Sequence, residues 1–250
     1  MRILRNALWA AALSSASLSR ALTIDELIAK NVEARGGLEK LKAIQSLRLE
    51  GTRTRSGGGF EMPFVEIRKR PGAIRSEATM QGLTMIRAYD GTEGWAVQPF
   101  RGRKDPEKLP ADAAKQMAYD ADLDGPLVDY KEKGNQVEYL GTEDVDGTLA
   151  HKVKITRPTG DVDFLYLDPD YFLEIRRRSQ YRIRGTETEI ETDFGAYERV
   201  NGVYFPFSIE SGAPGSTEKG QKTNVTKAEA NAAVDDVVFR FPGGAPPAAK

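Results

Sequence analysis

The chain has no cysteine, a single histidine, few aromatic residues and no excess of positive charge. Each shortage excludes something. Without cysteine there is no disulfide and no thiolate nucleophile. There is also no N-terminal cysteine to carry a lipid, so the protein is expected to move freely rather than sit anchored. The lone His151 opens a predicted strand over 149–157, with no Ser or Asp motif beside it to suggest a triad, and it reads as a packing residue. Metal sites built on histidine and cysteine are excluded by counting. Asp120, Asp122, Asp124 and Gly125 imitate the first half of a calcium loop. The twelfth position is Lys131 where a glutamate is needed, and Pro126 follows the glycine, so the stretch reads as a solvated acidic loop. Phosphate-loop and dinucleotide fingerprints are missing, because Gly57-Gly58-Gly59 joins two predicted strands rather than a strand and a helix. Asn224-Val225-Thr226 matches a glycosylation triplet by chance. No carboxylate pair can be nominated for hydrolysis. The expectation is therefore a protein that is not an enzyme and needs no metal and no cofactor. Basic residues number 36 against 37 acidic ones, which argues against nucleic acid as a partner.

What is present begins with the N-terminus. Arg2 and Arg5 precede the short apolar run Ala7 to Leu13, and Ser19-Arg20-Ala21 offers a small-x-small cleavage site. This is the layout of a secretory signal peptide over residues 1–21. The run falls short of the roughly 20 apolar residues of a membrane-spanning helix. Removing it takes away Arg2, Arg5 and Arg20 and no acid, leaving 33 basic against 37 acidic residues, a formal net charge of −4. A monomer in the periplasm is expected.

From residue 22 to 242 the chain reads as one domain, with a disordered Gly/Pro/Ala-rich tail over 243–250. Thr23-Ile24-Asp25-Glu26 is a capping box, and Ile24, Leu27, Ile28 and Val32 follow at helical spacing. Gly36-Gly37 ends that helix, and a second short one runs from Leu38 to Ile44. Beyond Gln45 the period becomes two. Strands are predicted at about 45–55, 60–70, 73–81, 83–89 and 93–98, then 135–145, 149–157, 161–168, 172–184, 187–199, 203–211 and 218–227. Residues 101–134 break the pattern with charges, three prolines and a short helix near Ala111–Tyr119. A final apolar run covers Val237 to Phe241.

Two hairpins can be set in register. A two-residue Gly185-Thr186 turn pairs Arg184 with Glu187, Arg182 with Glu189 and Arg178 with Asp193, giving a charged ladder on one face. Tyr181, Ile183, Ile190 and Phe194 fall on the other. Val200-Asn201-Gly202-Val203 predicts a type I′ turn that sets Phe194 against Ile209 and Ala196 against Phe207. A large antiparallel sheet with one apolar face and few helices to cover it is expected to curve around them and leave an apolar hollow. The class is mostly β, with a few helices (α+β).

Lys69-Arg70-Pro71-Gly72 opening a strand, Asp90-Gly91-Thr92-Glu93-Gly94-Trp95-Ala96-Val97-Gln98-Pro99-Phe100 after it, and the terminal Val238-Phe239-Arg240-Phe241-Pro242 together resemble the LolA/LolB-like outer-membrane lipoprotein-sorting proteins. The resemblance implies a half-open antiparallel barrel of about eleven strands with helices lidding its concave face. It also implies a cavity that takes lipoprotein acyl chains, and a latch role for Arg70 toward the lid helices. The chain has Ile74 where the family carries an aromatic residue four positions after the latch.

The wall candidates for a hydrophobic guest are Leu47, Leu49, Phe64, Ile74, Trp95, Tyr181, Ile183, Ile190, Phe194 and Phe207. The lid candidates are Ile24, Leu27, Ile28 and Arg70. The leading expectation is a periplasmic carrier for lipoprotein acyl chains or another hydrophobic ligand, dealing with a membrane-bound donor or acceptor. The alternative is a periplasmic regulator of envelope-stress signalling that binds a protein.

Overall fold

The computed structural model describes residues 22–56, 60–183 and 185–243. Residues 1–21, where a signal peptide is expected, Gly57–Gly59, Arg184 and the residues after Gly243 lie outside the described residues.

Helix α1 (Ile24–Ala34) starts on the capping box read from sequence: Glu26 N–H donates to Thr23 Oγ1, and Thr23 N–H donates to the Glu26 carboxylate. It ends at Gly36-Gly37, where the N–H of Gly36 and Gly37 donate to Glu33 and Val32 carbonyls. Gly36 has φ +122, and a Cβ there would run into the Gly202 carbonyl, so the helix end meets a distant hairpin backbone to backbone. Helix α2 (Leu38–Ala43) follows at once.

Thirteen strands then make one antiparallel sheet. They are β1 (Ser46–Arg55), β2 (Glu61–Lys69), β3 (Ala73–Met80), β4 (Leu83–Tyr89), β5 (Gly94–Gln98) and β6 (Arg103–Lys108). After helix α3 (Ala111–Asp120) come β7 (Gln136–Val145), β8 (Thr148–Thr156), β9 (Val162–Leu167), β10 (Glu174–Ile183), β11 (Thr186–Val200), β12 (Val203–Gly212) and β13 (Gln221–Ala230). The order is β6-β5-β4-β3-β2-β1-β13-β12-β11-β10-β9-β8-β7. The two end strands of that order, β6 and β7, do not pair, so the half-barrel is open. The count exceeds the eleven implied by the resemblance. One added strand, β6, lies in the stretch read as a break. It pairs only with β5, at an edge, where Pro106 interrupts no second ladder.

The β10–β11 register is two residues off the sequence reading. Ile183 pairs with Thr186, so Arg182 faces Glu187, Arg178 faces Glu191 and Arg176 faces Asp193. The turn therefore sits one residue earlier, with Gly185 at φ +78. A slip of two preserves the faces, and the ladder stays on the convex side. There Glu191 is buried (1% exposed), accepting from Lys219 Nζ at 2.6 Å and Arg178 Nη2 at 2.8 Å. The β11–β12 hairpin has the expected register and turn, with Val200 opposite Val203 and Phe194 opposite Ile209. Its ladder lapses only around Ala196, at φ +48.

Val237–Phe241 is not a strand. Asp236–Phe239 forms a 3-10 turn that crosses the convex face and buries Trp95. Trp95 Nε1 donates to the Phe239 carbonyl at 2.7 Å, and Arg75 Nη1 donates to that of Val238 at 2.8 Å. Trp95→Phe leaves the Phe239 carbonyl without its donor. It should lower stability by about 1–2 kcal/mol, read as a fall of a few degrees in the thermal midpoint.

Candidate ligand-binding hollow

On the concave side the helices cover the sheet in two places. Leu27 of α1 is wholly buried against Leu127, Val153, Ile155, Leu165 and Leu167, with Ile24 and Ile28 packed beside it. Met117 of α3 packs on Ile74 at the other end. Between them remains a hollow of about 890 Å³, within the range of small-molecule sites. A smaller cleft of about 330 Å³ lies elsewhere, by Pro71, Thr92 and Phe241.

The two walls of the hollow differ. The β10–β12 side offers Tyr181, Ile183, Ile190, Phe194, Phe205 and Ile209. The β1–β4 side presents Leu49 and Phe64, then a belt of charge. Arg53 Nη2 donates to Glu66 at 2.9 Å and Nη1 to Ser76 Oγ at 2.8 Å. Arg68 Nε and Nη2 donate to the other Glu66 oxygen at 2.9 and 2.7 Å. Burial alone would raise the Glu66 carboxyl, but Arg68 and Arg53 outweigh it and the shift is downward. Arg87, directly opposite Ser76, lines the hollow beside them. From the far wall Arg177 pairs with Glu174 at 2.7 and 2.8 Å and lies over the Phe194 ring. Asp120, at the end of α3, opens onto the hollow but has protein on most sides. That burial pushes its carboxyl up, against the pull of Arg68, Arg87 and Arg177.

Arg70 ties α2 to the loop that carries Asp124. Its Nε and Nη2 donate to the Ile44 and Leu41 carbonyls at the end of α2, at 2.8 and 3.0 Å. Its Nη1 and Nη2 grip Asp124 at 2.8 and 2.6 Å. Lys42 reaches the same carboxylate at 2.8 Å. Burial opposes ionisation of Asp124, yet Arg70 and Lys42 hold it down to about 2. Asp122 pairs with Lys133 at 2.6 Å. Two of the three aspartates that imitate a calcium loop are thus bound to the protein's own cations, and the loop is a packed joint rather than a solvated one.

Solved structures share this architecture. A LolA superfamily protein from Nitrosomonas europaea superposes with a TM-score of 0.58 at 11% identity, over 88% of this chain and 98% of that one. A DUF1329 family protein from Desulfovibrio piger gives 0.57 at 13% identity, over 87% and 97%. A putative outer membrane lipoprotein-sorting protein domain from Vibrio parahaemolyticus gives 0.54 at 11% identity, over the same shares. The chain has the LolA fold. No protein-family model matches it, and no curated protein does.

Within that LolA fold the sequence-predicted residues separate. Leu49, Phe64, Tyr181, Ile183, Ile190 and Phe194 line the hollow. Leu47 and Phe207 are buried beneath α2 with Leu41 and Ile44, and Ile74 is covered by α3. Trp95 is a correction: it faces away from the hollow, because its neighbours Gly94 and Ala96 take the concave positions opposite Tyr89 and Arg87. The hollow expected to be apolar is a correction too, since Arg53, Glu66, Arg68, Arg87 and Arg177 occupy its lining. His151 stacks on Phe172 at 5.6 Å and its Nδ1 meets the Tyr139 hydroxyl at 2.9 Å, a packing role; burial lowers its pKa.

Proposed function

We propose that this protein is an extracytoplasmic carrier that holds a lipid-like guest in the concave hollow, with no covalent step. The observation that carries the reading is the hollow itself. It lies in a LolA-type half-barrel at the place the helices leave uncovered, with Tyr181, Ile183, Ile190, Phe194, Phe205 and Ile209 giving an apolar strip across β10 to β12. The lipoprotein-sorting protein domain from Vibrio parahaemolyticus shares the architecture, which supports a guest bearing acyl chains. Apolar area holds such a chain, at about 25 cal/mol per Å² buried. Entry of the guest competes with the packing of α1 and α2 on the sheet, so the closed form and the loaded form share one equilibrium.

Native mass spectrometry of protein purified gently from its host should reveal an added mass that dissociates on activation. Uptake of a fluorescent long-chain probe should be saturable, and Phe194→Ala should weaken it about tenfold by removing apolar wall. A bare mass together with no uptake of the probe would overturn the carrier reading.

A further inference from the structure

The belt on β1–β4 holds more donors than the protein satisfies. Among the described residues, the buried side-chain nitrogens and oxygens with no hydrogen-bond partner are Arg53 Nε and Gln116 Nε2. Both residues line the hollow, Arg53 from the sheet and Gln116 from α3, with the orphan atoms lying just beneath its surface. Arg87, on the same lining, makes no hydrogen bond or ion pair with the described residues and is exposed to the hollow. Buried donors are rarely left without acceptors, and here the orphans gather on one cavity instead of scattering. Glu66 does not serve them: its oxygens accept from Arg53 Nη2 and from Arg68 Nε and Nη2, and neither reaches Arg53 Nε or Gln116 Nε2. Asp120, the other acid near the belt, makes no ion pair with the described residues. The belt therefore lacks acceptors in a concave, partly desolvated place, where a charged acceptor is held most strongly.

We infer that the guest is an amphiphile with an anionic head, a carboxylate or a phosphate, seated on Arg53, Arg87 and Gln116 while its tail lies along Ile190, Phe194 and Ile209. This rests on the carrier reading and adds to it a chemical class. The division of the hollow fits such a guest. Arg53 and Arg87 stand on one wall and the apolar strip on the other, so a single molecule spanning the hollow meets both. A neutral acyl chain would leave the donors unmet, and a small anion would leave the apolar wall wet.

Competition against the neutral dye N-phenyl-1-naphthylamine tests this in full-length mature protein. Palmitate, palmitoyl lysophosphatidic acid and the uncharged monopalmitoylglycerol are compared below their aggregation thresholds. The expected result is that an anionic competitor binds at least about tenfold tighter than the neutral one and loses that advantage in high salt. The ratio should fall toward one in Arg87→Gln, a variant that breaks no ion pair and should keep its thermal midpoint. Whichever of palmitate and the lysophospholipid gains more identifies carboxylate or phosphate as the head. Equal affinities for all three competitors would overturn the head-group inference and leave the carrier reading standing. An advantage that survives in Arg87→Gln would overturn the assigned seat. Failure of the dye and all three competitors to bind would remove the carrier reading, and this inference with it.

Discussion

Replacing Arg70 with leucine should lower stability by about 3 kcal/mol and release α2 from the 121–135 loop. The reason lies in what stays behind. Asp124 has a side chain only 5% exposed and would keep a single partner, Lys42, which is itself 41% exposed. The Ile44 carbonyl would lose the Arg70 donor as well, and the Leu41 carbonyl would keep only the Ile44 N–H. Chemical denaturation should report the loss as a lower midpoint with an unchanged slope. Guest release should quicken, since α2 adjoins the hollow through Leu41 and its packing on Leu49 and Phe64. Equal midpoint and equal release rate would remove Arg70 from the latch. The same contact is acid-sensitive. Asp124 is depressed from 3.8 to about 2, so its contribution is complete above pH 4 and disappears as the pH falls toward 2.

Glu191→Gln should be nearly as damaging, by about 2–4 kcal/mol, although it changes only one atom type. Glu191 is the buried anion between Lys219, Arg178 and Arg176, and Lys219 is itself only 9% exposed. The amide would keep the shape while removing the shared anion from Arg178, Arg176 and Lys219, the last two of which would retain Asp193. Burial opposes ionisation of Glu191, but Lys219 and Arg178 hold it down to about 2 from 4.5. Its stabilisation is thus present above pH 4.5 and lost as the pH falls toward 2. Unfolding measured at pH 7 and at pH 3 should show a large gap between variant and parent at the first and a smaller one at the second. An equal gap at both would mean that shape, not charge, is what Glu191 supplies.

Much of the scaffold was legible because local signals are strong where geometry is tight. The capping box at Thr23, the Asn201-Gly202 turn and the alternation of Tyr181 and Ile183 each have a narrow structural meaning. The charged belt was not legible, because a charge in a strand is read as facing water. In Phe64-Val65-Glu66-Ile67-Arg68 both faces carry apolar residues, so alternation cannot choose between them; the concave side took Phe64, Glu66 and Arg68. One signal was available. Arg176-Arg177-Arg178 are three arginines in succession within a strand, and alternation obliges the middle one to face opposite its neighbours. Arg177 is that residue, and it lines the hollow. Trp95 was misplaced because its cover comes from the far C-terminus, which local periodicity cannot anticipate.

All but one of the sheet's neighbouring strands are consecutive in the chain; the exception is β1 beside β13. Each half can therefore zip up from its own turns, hairpin by hairpin, at the speed of local contacts. The seam between β1 and β13 must instead bring together segments from opposite ends of the domain, at the cost of closing a long loop. Its register is pinned by the shift at Glu50/Gly51, where Asn224 comes so close that only glycine fits. The half-barrel is in this sense two ribbons joined by one zipper, and the hollow, which takes residues from both, exists only when the zipper is shut.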